Sequence, residues 1–175
     1  NSLVSDFSPG AYYSKYQASL TALEDLAAIV RRCQEKGIRL SLFISPLHVS
    51  QWESFRLGGL WPEYDNWRSQ LRSVFPIWDF SGYNSVTTEP ISDTMKNYID
   101  SSHYTPRVGN WMLGKILGRD DPTMPTDFGV LLTEQNIKAQ LATRETEFKA
   151  WAEGQAELMA WLKNLQFGEE VSNHP

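Results

Sequence analysis

Two short stretches of this sequence carry residues suited to proton transfer. In Asp100-Ser101-Ser102-His103, two residues separate a carboxylate from an imidazole. On a turn, that spacing lets the carboxylate hold one ring nitrogen and leaves the other to take a proton from a hydroxyl nucleophile. Histidine suits the task because its unperturbed pKa lies near neutrality. The plainer alternative is an aspartate accepting local backbone hydrogen bonds beside a surface histidine.

The second stretch is Ser45-Pro46-Leu47-His48, where an apolar run stops at proline and the chain turns. His48 either faces a substrate or caps the next turn with its ring. Asp79 stands near the end of a second apolar run, and Trp52 and Trp61 flank Gly58 and Gly59 in a stretch that reads as loop. Exposed rings there would form a platform for sugar rings, whereas most of the chain's aromatic residues serve a core. Ser45, His48, Asp79, Trp52 and Trp61 are therefore the candidate substrate contacts. Two histidines and an aspartate could also make a metal site, but an aspartate and a histidine at that spacing with no third close ligand support it weakly, so no metal is expected. The single cysteine, Cys33, excludes a disulfide within the chain and a multi-cysteine zinc site, and it falls on the apolar face of a predicted helix.

These residues need elements to position them. From Ser14 to Lys36, Leu20, Leu23, Leu26, Ala27, Val30 and Cys33 recur at helical spacing, and Gly37 stands where a C-terminal cap belongs. Ile38 to Ser45 is a near-continuous apolar run ended by Pro46, the pattern of a strand buried on both faces. The order repeats more weakly, with a helix over Tyr64 to Ser73 and a strand over Val74 to Phe80. Helix followed by buried strand, twice, predicts an α/β fold with a mainly parallel sheet. Ligands bind beyond the carboxyl ends of such strands, which would bring Ser45, His48 and Asp79 to one crevice with His103.

Ser81 to Pro90 is rich in turn residues, and Asp93 to Tyr98 reads as a short helical or irregular piece. Thr105 is placed as an N-cap with Pro106 at the first helical position, and Val108, Trp111, Met112 and Ile116 give that helix a buried face before Gly118. Residues 1–118 thus read as one α/β domain, and residues 119–132, with two prolines and several turn residues, as a linker. Beyond it, Ile137, Leu141, Arg144, Phe148, Trp151, Gln155, Leu158, Leu162 and Leu165 form a heptad-like stripe. One amphipathic helix over 133–167 is expected, roughly 45 Å long. It either packs on its own domain or projects to bind a protein partner.

A length of 175 residues suits one main domain, and 41% hydrophobic residues, including seven Trp, seven Tyr and eight Phe, supply a core. A net charge of -5 with no basic run argues against nucleic acid and anionic lipid as partners. No apolar stretch reaches the roughly 20 residues of a membrane span.

The run Tyr98-Ile99-Asp100-Ser101-Ser102-His103-Tyr104-Thr105-Pro106-Arg107-Val108-Gly109 resembles the last conserved block of the SGNH hydrolases, an Asp-x-x-His just ahead of the C-terminal helix. With Phe43-Ile44-Ser45-Pro46-Leu47-His48 and Trp78-Asp79-Phe80-Ser81-Gly82-Tyr83, it is similar to bacterial SGNH-like proteins of cell-surface polysaccharide O-acylation, relatives of alginate O-acetyltransferases. The likeness covers about Tyr16 to Gly118. It implies a three-layer α/β/α sandwich, no cofactor, and a place at the bacterial envelope reached through an upstream segment. It also implies His103 as general base, Asp100 as its orienting partner, and a serine attacking an acyl ester, of acetyl type, on carbohydrate.

Family nucleophiles lie on a Gly-Asp-Ser or Gly-x-Ser turn after the first strand, and no such turn precedes a helix here. The family's oxyanion-hole glycine and asparagine blocks are not identifiable either. Ser8, 95 positions ahead of His103, is the remote substitute. The expectation is therefore a C-terminal portion of the enzyme, inactive by itself, with its serine upstream of Asn1. The alternative is a noncatalytic SGNH-like module that binds a protein partner or a saccharide in a surface-polysaccharide assembly.

Overall fold

The computed structural model of the chain describes residues 19–119 and 121–167, so the candidate Ser8 lies outside the described residues. Helix α1 (Leu20–Glu35) starts at Ser19, whose hydroxyl accepts the Ala22 amide, and it stops before Gly37, which has the positive φ of 65° that a C-terminal cap favours. The chain then enters β1 (Leu42–Ile44), α2 (Val49–Leu57), α3 (Trp61–Val74) and β2 (Ile77–Asp79). After a long irregular stretch come α4 (Pro106–Ile116), β3 (Val130–Leu132), α5 (Ile137–Ala152) and α6 (Ala156–Phe167).

The fold is α/β, with a three-stranded sheet in the order β1-β2-β3. β1 and β2 are parallel, whereas β3 runs antiparallel to β2, so the sheet is mixed rather than mainly parallel. The register sets Leu42, Ile77 and Leu132 in one row and Phe43, Trp78 and Leu131 in the next. Alternation along each strand sends these rows to opposite faces.

On one face Ile44, Ile77, Leu132 and Leu71 of α3 form a core that also takes Leu23 and Leu26 of α1, Tyr64 and Trp67 of α3, and Ile137 of α5. On the other, Trp78 packs against a second core of Phe80, Val86, Tyr98, Val108, Trp111, Met112 and Phe128, which anchors α4. Gly129 has φ 84° and lies so close to Phe80 that a Cβ there would sit 2.4 Å from the ring. Only glycine fits that approach, and it lets the chain turn into β3.

Two expectations about the C-terminal third are corrected. Residues 119–132 are not simply a linker, because Val130–Leu132 form β3 and Leu132 is fully buried. Three consecutive apolar residues, freed by Gly129 to turn, gain more from joining the sheet than from remaining a connection. The expected single long helix is two, α5 and α6, separated at Glu153-Gly154-Gln155. The joint lets α5 pack on α3 and α6 on α2. Glycine in a helix interior costs about 1 kcal/mol relative to alanine, which favours breaking here. No helix among the described residues is long and apolar enough to cross a membrane.

Candidate functional site

The Asp100–His103 pair lies on a tight turn between Tyr98 and Tyr104, which face each other as an isolated antiparallel bridge. The turn is closed by Ile99 N–H donating to the His103 carbonyl at 2.8 Å. At its base, Thr105 N–H donates to the Asn97 carbonyl at 2.8 Å and the Thr105 hydroxyl to the Lys96 carbonyl at 2.9 Å. Thr105 occupies the N-cap position of α4 ahead of Pro106, but its hydroxyl serves the turn and makes no cap bond.

Asp100 does two things at once. Its Oδ1 accepts the Ser102 and His103 amides, both at 2.8 Å, which shapes the turn. The same carboxylate meets His103 Nδ1, with Oδ2 at 2.8 Å and Oδ1 at 3.0 Å. Burial alone would raise the Asp100 pKa, but bonds from the Ser102 amide, the His103 ring, the His103 amide and the Ser102 hydroxyl outweigh it and bring the value down to about 2. Asp100 is therefore an anion at neutral pH and accepts the proton that Nδ1 carries. That fixes the tautomer whose Nε2 bears the free lone pair. Nε2 has no hydrogen-bond partner among the described residues, and the His103 side chain is 74% exposed.

The Ser45–His48 stretch adjoins this turn. Ser45 is exposed just past β1. His48 is 2% exposed and is the N-cap of α2, a helix in place of the loop expected around Trp52. Its Nδ1 accepts the Ser50 amide at 3.2 Å and lies 2.8 Å from the Ser50 hydroxyl, while Nε2 lies 2.8 Å from the Glu89 carbonyl. A carbonyl can only accept, so Nε2 carries the proton and Nδ1 is the capping acceptor. Burial holds the His48 pKa below its ordinary 6.5, opposed by the Glu89 carbonyl and charge. With both nitrogens engaged in the interior, the ring has nothing left to offer a substrate.

Asp79 is buried at the carboxyl end of β2, with Oδ2 2.5 Å from Arg68 Nη2 and Oδ1 accepting the Ser81 amide at 2.9 Å and hydroxyl at 2.6 Å. Trp52 is 1% exposed, with its ring edge-on to Tyr64 at 4.5 Å, and Trp61 packs against Phe148 of α5 at 5.7 Å beneath the Arg144 guanidinium. Neither is an open sugar platform: Trp52 is enclosed by Phe55, Trp61 and Tyr64, and the half-buried Trp61 is partly covered by Phe148 and Arg144 of α5.

Trp52 and Asp79 nevertheless line a cavity of about 340 Å³ with Arg68, Ser81, Gln140 and Arg144. A second, of about 510 Å³, lies between Pro90, Trp151 and the joint of α5 and α6. Neither is lined by Asp100 or His103. Arg68 and Arg144 were not foreseen as cavity residues, although Arg144 stands out in the sequence as a charge within an apolar stripe. Among the described residues no cluster of three or more His, Cys, Asp or Glu is arranged to hold a metal ion.

Comparison with protein-family models, with curated proteins and with solved structures finds no match to this chain.

Proposed function

We propose that this chain is the C-terminal part of an SGNH-type serine esterase or O-acyltransferase acting on acyl esters, of acetyl type, of carbohydrate. His103 is the general base, Asp100 orients it, and the nucleophilic serine comes from outside the described residues. The observation that carries the reading is the carboxylate on Nδ1, at 2.8 Å, with Nε2 turned outward and unengaged. This is the arrangement a hydroxyl nucleophile needs of its base.

On this reading the whole enzyme is a three-layer α/β/α sandwich at the bacterial envelope. Serine-directed labelling of the intact natural protein with a fluorophosphonate, followed by peptide mapping, tests the proposal. A serine adduct that disappears in His103→Ala is expected.

The noncatalytic-module reading draws on a single observation, that His103 lies 74% exposed and outside both cavities. A well-folded protein that takes no label would favour it.

A further inference from the structure

His48 is the residue the sequence singled out and the proposed chemistry leaves unused. We propose that it is a positioning residue for the Asp100–His103 turn, an inference that rests on reading that pair as base and orienter. Three routes lead from His48 and its neighbours to the turn. Through its ring, Nε2–H donates to the Glu89 carbonyl at 2.8 Å, and the Glu89 carboxylate accepts the Lys96 and Asn97 amides at 2.8 and 2.9 Å. Lys96 and Asn97 are the residues whose carbonyls take Thr105, so the ring holds the base of the turn on both sides.

Through its backbone, His48 N–H donates to the carbonyl of Ser101, inside the Asp-x-x-His segment, at 3.0 Å. Through its neighbours, Pro46 accepts the Tyr98 hydroxyl at 3.3 Å and Gln51 accepts the Ser101 hydroxyl at 3.2 Å. The Tyr98 ring also stands edge-on to the imidazole at 5.1 Å.

The turn's tip is exposed and cannot order itself by burial, so its aim depends on this grip at its base. A base misplaced by about 1 Å loses on the order of a hundredfold in rate. His48 is placed to prevent that without touching substrate.

Side-chain length separates this role from ordinary capping. Asparagine at 48 can replace Nδ1 as the cap acceptor but is too short to reach the Glu89 carbonyl, whereas glutamine reaches as far as Nε2 and gives up the cap. The test compares wild type, His48→Ala, His48→Asn and His48→Gln of the full-length natural protein. Two readouts are taken: amide hydrogen exchange at Ile99 and Thr105, with the Phe80 amide bonded to Ile44 as reference, and the fluorophosphonate labelling rate at saturating probe.

His48→Ala and His48→Asn are expected to exchange about tenfold faster at Ile99 and Thr105 with Phe80 unmoved, and to label about tenfold more slowly at unchanged half-saturation. His48→Gln is expected to stay near wild type in both. Rescue by asparagine rather than glutamine, or equal loss at Phe80, would reduce His48 to a cap or a core residue and overturn the proposal. Should His48→Ala fail to fold, the asparagine–glutamine contrast decides alone. If wild type takes no label, exchange still decides the grip, and the failure falls on the hydrolase reading.

Discussion

Arg144 on α5 forms an ion pair with Asp65 on α3, and its guanidinium lies 4.7 Å from the centre of the Trp61 ring. Through Asp65 it joins Arg68 and Asp79, so α5 is keyed into a largely buried charge network at the carboxyl end of β2.

Breaking that network from the α5 side should be costly. Arg144→Ala would leave Asp65 facing Arg68 alone and strip the cation from Trp61, and a loss of about 3 kcal/mol is expected. Arg144→Met, which keeps the volume and contact with Trp61, should lose less. Urea unfolding of both variants checks this, and an alanine variant as stable as the methionine one would refute the assigned role.

Asp100 makes the acid limb of stability predictable in sign. Its folded pKa of about 2 lies below the ordinary 3.8, so the stability it contributes is present above 3.8 and is lost as pH falls toward 2. Exposure and salt keep that contribution small. Asp100→Asn should therefore flatten the stability profile slightly between those pH values. It should slow serine labelling far more, by about 10²-fold or beyond, because the amide can present its N–H to Nδ1 and favour the wrong tautomer.

His48 gives a second pH window. Its folded pKa lies below 6.5, so the neutral ring's contribution is complete above 6.5 and declines as pH falls from there toward the folded value. Glu89, through its carbonyl and its charge, opposes the shift without reversing it. Chemical denaturation between about pH 7 and 5 should show this decline in wild type and its loss in His48→Gln.

Gly129→Ala meets two penalties, a positive φ and a Cβ driven into the Phe80 ring. Since Phe80 is fully buried, the ring has little room to retreat. A loss of roughly 3 kcal/mol is expected by thermal or urea unfolding, whereas Gly154→Ala, with nothing near its Cβ, should be close to neutral.

What was legible in the sequence follows from how local each signal is. The spacing in α1 and α4, the stop at Pro46 and the carboxylate three residues ahead of His103 are all written within a few positions, and the elements and the Asp100–His103 contact lie where those signals put them. The helix α2 is hard to see in the sequence because its opening signal is His48, a residue seldom found as a cap, and because Gly58 and Gly59 give the stretch a loop-like composition. The covering of Trp61 by Phe148 and Arg144 depends on α5 returning across the domain, a contact about 80 positions away that no local pattern records. The stripe from Ile137 to Leu162 correctly named the inward face of α5 and α6, with Arg144 and Leu162 buried, but a periodic pattern continues unchanged through a bend. Hence one helix was expected where there are two.

That bend has a hydrodynamic consequence. A continuous rod of some 45 Å would extend well past the sheet, whereas helices of 16 and 12 residues, roughly 24 and 18 Å long, can fold back over their own domain. Helix α6, packed on α2, should therefore tumble with the sheet and share its rotational correlation time.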